Sequence, residues 1–164
     1  MAKACSLVGE IAVSGKDEFS IFNVSTDHIP EDERVPLLRE FYCRGVLKAE
    51  VEAKEAKPAA RFTSHVLPEA QLLLGGLCGA RVIRTKQLVA DGDDSLALIV
   101  NRSGVLGISE RGHDLRLRAG EAVLTSAEDV TTFERLALGS GFSLRVPRRV
   151  LAPMIVDVDD AVMR

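Results

Sequence analysis

The sequence predicts a mainly β protein, an antiparallel sandwich or barrel preceded by one helix. Three observations predict it. From Val46 onward the apolar residues recur with a period of two, the mark of half-buried strands. Candidate strands follow one another at roughly ten-residue spacing, separated by Gly-rich turn signals. The connections are too short for parallel crossovers, which need about a dozen residues or more, so the strands must pair antiparallel.

Taken in order, residues 1–18 read as a weakly structured lead-in, with Gly9 and Gly15 interrupting any long element. Residues 19–24 suit a short strand. Ser25, Thr26 and Asp27 then offer capping side chains, Pro30 suits a first helical turn, and Glu31, Asp32 and Glu33 complement the positive end of a helix. Val35, Leu38, Phe41 and Tyr42 recur at helical spacing, which predicts an amphipathic helix over 30–44, distorted near Pro36 and closed by Gly45.

The predicted strands are 46–54, 61–67, 70–77, 81–89, 95–101, 104–110, 113–118, 121–125, 130–137 and 141–146. Turn signals lie between them at Lys57-Pro58, Gly75-Gly76 with Gly79, Asp91-Gly92-Asp93-Asp94, Ser103-Gly104, Arg111-Gly112, Ala119-Gly120 and Gly139-Ser140-Gly141. Residues 148–152 read as a helical turn before Pro153. Residues 156–164 carry no evident cap or stop signal and read as a linker, their acidic run Asp157–Asp160 being a solvated stretch or a helix start.

Composition narrows the function classes. The 164 residues suffice for one domain with a real core, and 46% apolar with 27% charged residues is the balance of a globular protein. Six Phe, one Tyr and no Trp leave little material for stacking on sugars or bases. With a net charge of −3 there is no basic face of the kind that neutralises several phosphates. The densest basic stretch, Arg81–Lys86, alternates like a solvated strand face. Cys5, Cys43 and Cys78 are odd in number and widely spaced, which suits reduced thiols in a cytoplasm, and no stretch approaches the roughly 20 apolar residues of a membrane span.

The chemical inventory is thin. His28, His65 and His113 are far apart, without the local spacing of a zinc site; His113 reads as an exposed hairpin residue and His65 as a structural strand histidine. Asp91-Gly92-Asp93-Asp94 lacks the alternating oxygen ligands and terminal Glu of a calcium loop and reads as a hairpin turn. No serine sits in a Gly-x-Ser-x-Gly elbow, and Gly139-Ser140-Gly141-Phe142-Ser143 lacks the lysine of a phosphate loop. Cys78, between Gly76 and Gly79, is sterically open but has no neighbouring His to activate it. The carboxylate pairs Glu31/Glu33 and Glu128/Asp129 sit at a helix start and a turn. No catalytic set, metal site or cofactor motif is expected, and the chain reads as a non-enzyme.

The stretch from Arg81 to Arg149 carries a pattern of its own. It runs through Arg81-Val82-Ile83-Arg84, Leu96-Ala97-Leu98-Ile99-Val100-Asn101, Gly112-His113-Asp114-Leu115-Arg116-Leu117-Arg118-Ala119-Gly120-Glu121 and Phe142-Ser143-Leu144-Arg145-Val146-Pro147-Arg148-Arg149. In order and spacing this resembles the AraC-type effector-binding domain of bacterial AraC/XylS transcription regulators, and Phe22-Asn23-Val24-Ser25-Thr26-Asp27-His28-Ile29-Pro30 resembles the lead-in of one branch of that family. The resemblance covers about residues 19–155. It implies a cupin-like barrel, or double-stranded β-helix, with an N-terminal helix and a short C-terminal helical segment. Ala119 and Glu121 stand where the family usually has Pro and Asp. The histidines that hold metal in catalytic cupins have no counterpart in Val105–Ser109 or Ser126–Val130.

That resemblance implies an effector-sensing, self-associating domain over 19–155, with 1–18 as lead-in and 156–164 as a linker toward an absent helix-turn-helix domain. Its partners would be an unidentified small-molecule effector and a second copy of the chain, with DNA contacted only through the absent domain and no membrane involved. A stand-alone β-barrel interaction module and a small cupin enzyme are the alternatives. Strand alternation together with the family's aromatic-lined pocket nominates Arg84, Ile99, Phe133 and Phe142 as ligand-binding residues: the two Phe as an apolar wall, Arg84 as a partner for a carboxylate.

Overall fold

The structure is a computed structural model that describes residues 9–12, 19–135 and 138–164. It contains β1 (Gly9–Ala12), β2 (Ser20–Ser25), α1 (Glu31–Gly45), β3 (Glu50–Ala53), β4 (Ala59–Leu67), β5 (Ala70–Cys78), β6 (Ala80–Arg84) and α2 (Lys86–Val89). These are followed by β7 (Leu96–Asn101), β8 (Leu106–Glu110), β9 (His113–Leu117), β10 (Ala122–Ser126), β11 (Thr131–Arg135), β12 (Gly141–Val146), α3 (Arg148–Leu151) and α4 (Val158–Ala161).

Two antiparallel sheets face each other, as the periodicity predicts. One has the order β1-β2-β4-β5-β12-β7-β10 and the other β3-β6-β11-β8-β9. The β4–β5 and β8–β9 hairpins turn tightly, while β12 returns from the far end of the chain to lie between β5 and β7. Sequence-distant strands therefore meet in the middle of the larger sheet.

The helix forms where its apolar spacing predicts and buries Leu38, Phe41 and Tyr42. Its ends differ from expectation. Pro30 precedes the first turn and no side chain caps it. Thr26 instead exchanges hydrogen bonds with the Ala60 backbone, its hydroxyl accepting from the Ala60 N–H at 2.9 Å, and Asp27 pairs with Arg61. The presumed cap thus stitches the helix entry to β4. Gly45 is the last helical residue rather than a left-handed stop, and a Cβ there would press on Phe22 at 3.4 Å.

Three segments depart from the predicted pattern. Within the lead-in, Gly9–Ala12 pairs with β2. The expected strand 81–89 stops at Arg84, because the Thr85 hydroxyl accepts from the Leu88 N–H and opens the helical turn α2. At the C-terminus Asp157 caps α4 by accepting from the Asp160 N–H at 3.0 Å. Val158, Val162 and Met163 are then buried, and Val162 bridges to Leu124 beside β10.

The interior divides into two apolar clusters. One gathers Leu38, Phe41 and Tyr42 of α1 with Val51, Phe62, Leu77 and Val82. The other gathers Leu96, Ile99, Leu106, Ile108, Leu117 and Val123 with Val158 and Val162 of the C-terminal segment. Phe133 packs against both.

Candidate functional site: the cavity between the sheets

Where the clusters meet, the sheets leave a cavity of about 140 Å³. An apolar cavity of about 150 Å³ accommodates benzene, so this space suits a ligand with a body of about one ring. Its walls are mostly apolar: Phe62, Leu73, Leu77, Val82, Ile99, Leu106 and Phe133 contribute. Tyr42 closes one side from the end of α1, and Arg84, Arg135 and Arg145 bring three guanidinium groups to the lining.

The four residues nominated from sequence all border this space, in different ways. Ile99 and Phe133 lie on inward strand positions, as expected: Ile99 is buried opposite Val123, and Phe133 pairs with Val82 and Ile108, both buried. Phe142 borders the cavity through β12, but alternation puts its side chain on the face of Leu144 and Leu98, which are 39% and 41% exposed. Ser143 shares the inward face with Ile99 instead. One residue of register separates the two readings, because successive strand side chains point to opposite faces.

Arg84 is neither solvated nor free. It is 1% exposed, and Asp91 receives its Nη2–H at 2.7 Å. Its Nε–H donates to the Ala127 carbonyl at 2.6 Å and Nη1–H to that of Lys48 at 3.1 Å. The carboxylate it pairs belongs to the chain itself. The Arg84 guanidinium holds the Asp91 carboxyl below its ordinary value. The Asp91–Asp94 turn read from sequence is therefore an anchor for a buried cation.

Arg145 is similarly engaged, donating to the Val46 carbonyl at 2.8 Å and lying 3.4 Å from Asp93. Arg135 differs. Its Nη1–H donates to Asn101 Oδ1 at 2.8 Å and to the Ser103 carbonyl at 3.0 Å, and no carboxylate pairs with it among the described residues. Burial lowers its pKa from the ordinary arginine value, although the group remains a cation at any ordinary pH. Tyr42 is 9% exposed, and burial raises its phenol far above the usual range, so it is a neutral donor.

The buried carboxyl of Glu110 lies outside this space. Glu110, 2% exposed, accepts from the Ser126 N–H at 3.0 Å and from the Thr131 hydroxyl at 2.7 Å, and burial raises its pKa. None of the three histidines lines the cavity; His28 and His113 are exposed and His65 lies beside Phe19. Cys43 and Cys78 are free thiols, and Cys5 lies outside the described residues. Among the described residues no three His, Cys, Asp or Glu side chains converge as a metal site would require. No helix among them is long and apolar enough to cross a membrane.

Tyr42, Arg135 and Arg145 are among the lining groups that sequence reading missed. Arg135 follows Phe133 by two on the same strand face, so the alternation that nominated Phe133 also carried the signal for Arg135. Tyr42 reads as core from its helical spacing; only the fold reveals that the core has a gap beside it.

No family model matches the sequence, and no curated protein matches it either. Among solved structures the chain is similar to the AraC-like transcriptional activator CuxR, with a TM-score of 0.65 at 14% identity, over 82% of this chain and 49% of that one. The chain thus spans about half the length of that activator. It is also similar to the EutQ protein of Clostridium difficile (TM-score 0.46, 10% identity, 58% of this chain and 74% of that one). A further neighbour is KdgF from Halomonas sp. (TM-score 0.40, 14% identity, 65% and 91%). At these identities the likeness is one of fold: two facing antiparallel sheets of the cupin-like, double-stranded β-helix kind, flanked by an N-terminal helix and C-terminal helical turns.

Proposed function

We propose that this chain is a small-molecule-binding module whose ligand sits between the two sheets. The observation that carries this reading is the apolar cavity at the junction of the two clusters, with a few polar groups converging on it. Binding without chemistry is the role we assign. The polar groups on the walls are arginines, hydroxyls, the Gln71 amide and Glu134, whose carboxylate pairs with Arg81, rather than the histidine sets of catalytic cupins.

The finer reading is effector sensing within a transcription regulator of the AraC type, acting as a homodimer in the cytoplasm. DNA would be contacted by a separate helix-turn-helix part. The similarity to an AraC-like activator over 82% of this chain favours it. So does the packing of the C-terminal segment on Leu124, next to the cavity-lining residues Thr125, Ser126 and Ala127. A ligand that shifts those residues would bias how the C-terminal segment packs, provided it binds the two arrangements with different affinity.

A thermal-shift screen of compact one-ring compounds tests the binding reading. A ligand at 100 times its Kd stabilises the fold by about 2.7 kcal/mol. Ser143→Leu, which fills the cavity from an inward position, is expected to abolish that shift while leaving the unliganded Tm nearly unchanged. A shift that survives Ser143→Leu would place the ligand elsewhere and overturn the reading.

A further inference from the structure

The three cavity arginines are not equivalent. Asp91 neutralises Arg84, and Asp93 lies within ion-pair range of Arg145. Arg135 alone of the three has no carboxylate among the described residues, and its Nε and Nη2 make no hydrogen bond to them. Holding a half-buried guanidinium without a counter-charge is costly, because desolvation favours the neutral form and arginine does not lose its proton.

Two backbone glycines border it. A Cβ on Gly76 would lie 3.4 Å from Arg135 Nε, and one on Gly141 would lie 3.0 Å from Nη2. Nearer backbone requires both glycines first, Gly139 O at 2.1 Å from the one Cβ and Val100 O at 2.5 Å from the other, and the two glycines border the edges of the guanidinium that carry no partner. Asn101 and Ser103 fix the remaining nitrogen, so the fork is oriented as well as accommodated. On the same cavity stands the Tyr42 hydroxyl, buried to within 9% and without a hydrogen bond among the described residues. Tyr42 and Arg135 line the same cavity. A held cation and a neutral donor without partners, at the edge of an apolar space, form a receptor for one anionic group.

We propose that the ligand is a small monocarboxylate with an apolar body of about one ring, its carboxylate on Arg135 and the Tyr42 hydroxyl, its body against Phe133, Ile99 and Val82. A carboxylate matches the guanidinium fork in a bidentate manner. A phosphate would bring about two negative charges to a place with one uncompensated cation, which makes it the poorer match. This inference rests on the cavity being the binding site and adds the chemical class of what enters it.

Calorimetric titration of the full chain with benzoate, phenylacetate and cyclohexanecarboxylate, each beside its neutral amide, tests the proposal. Each acid is expected to bind at least about tenfold more tightly than its amide, a charge-assisted hydrogen bond exceeding a neutral one by that order. Arg135→Gln should reduce the preference to less than about twofold while leaving amide binding in place. Arg135→Lys, which keeps the charge and loses the fork, should retain an intermediate preference and guards against a folding defect in the first variant. Tyr42→Phe should weaken the acids more than the amides. Amides binding as tightly as acids, or an acid preference that persists in Arg135→Gln, would overturn the carboxylate assignment and leave the cavity reading standing. No binding of any acid or amide would sink both.

Discussion

The half of the molecule organised around α1 has an aromatic core, and the half organised around the β8–β9 hairpin has an aliphatic one. In the first, the rings of Phe41 and Phe62 are 5.8 Å apart and nearly parallel, with Tyr42 edge-on to both. In the second, Leu96, Ile99, Leu106, Ile108 and Val123 interdigitate without an aromatic ring of their own. Each core has its own cover, α1 over one and the C-terminal segment with α4 over the other. At the junction the end of α1 contributes Tyr42, and among the described residues Phe133 is the partly buried ring packed against both clusters. The lesson is that two self-sufficient cores leave a space where they meet, and the buried arginines gathered there must find partners rather than close packing.

The largest expected effects break the cores themselves. Phe41→Ala removes a ring that is 1% exposed and should cost about 3–5 kcal/mol, against about 2–5 kcal/mol for Ile108→Ala in the aliphatic half. Both losses should appear as displacement of a single urea transition, because the larger sheet runs through both halves. Two separate transitions would show that the halves are independent units.

A smaller loss belongs to the junction. Asp91→Ala leaves Arg84 buried without its counter-charge and should cost about 3 kcal/mol. The sign with pH follows from the lowered Asp91 pKa: its contribution is fully present above the ordinary value of 3.8 and is lost as pH falls through the lower folded value. Stability measured by urea melts between neutral and strongly acid pH should therefore lose part of its acid dependence in the variant. An unchanged profile would mean that another group carries it.

The smallest effect sharpens the aliphatic side. Glu110 has a raised pKa because burial opposes its charge, so the folded state holds the proton to higher pH than the unfolded state does. Its contribution is most favourable below the ordinary value of 4.5 and declines as pH rises through the raised folded value. Glu110→Gln keeps an acceptor for the Ser126 N–H and offers an amide to Thr131. It should flatten that decline and leave stability at neutral pH equal to or above the parent by no more than about 1 kcal/mol. A clear destabilisation at neutral pH would show that the charge itself is needed.

Much of the fold is legible from sequence because it depends on local period. The helix over 31–45 and most of the strands lie within a few residues of their expected places. The failures occur where a local signal had two outlets. Thr26 could cap a helix or bond to a strand, and Ala60 claimed it. Arg81–Val89 alternates like one long strand, but Thr85 ends it and lets Asp91 return to Arg84. Residues 156–164 look like a tail in isolation, and their few apolar side chains gain a surface only when β10 is already in place.

The site divides in the same way. The inward positions of Ile99 and Phe133 were readable from alternation, whereas Phe142 borders the cavity from a strand position beside the inward Ser143. By itself the sequence determined the periodicity, the turns and hence the facing antiparallel sheets, since these depend on neighbours within a few residues. Only the tertiary structure decided which arginine meets which carboxylate, and that Arg135 meets none among the described residues. Those pairings join residues from different strands and loops, and they depend on how distant segments fill a shared interior.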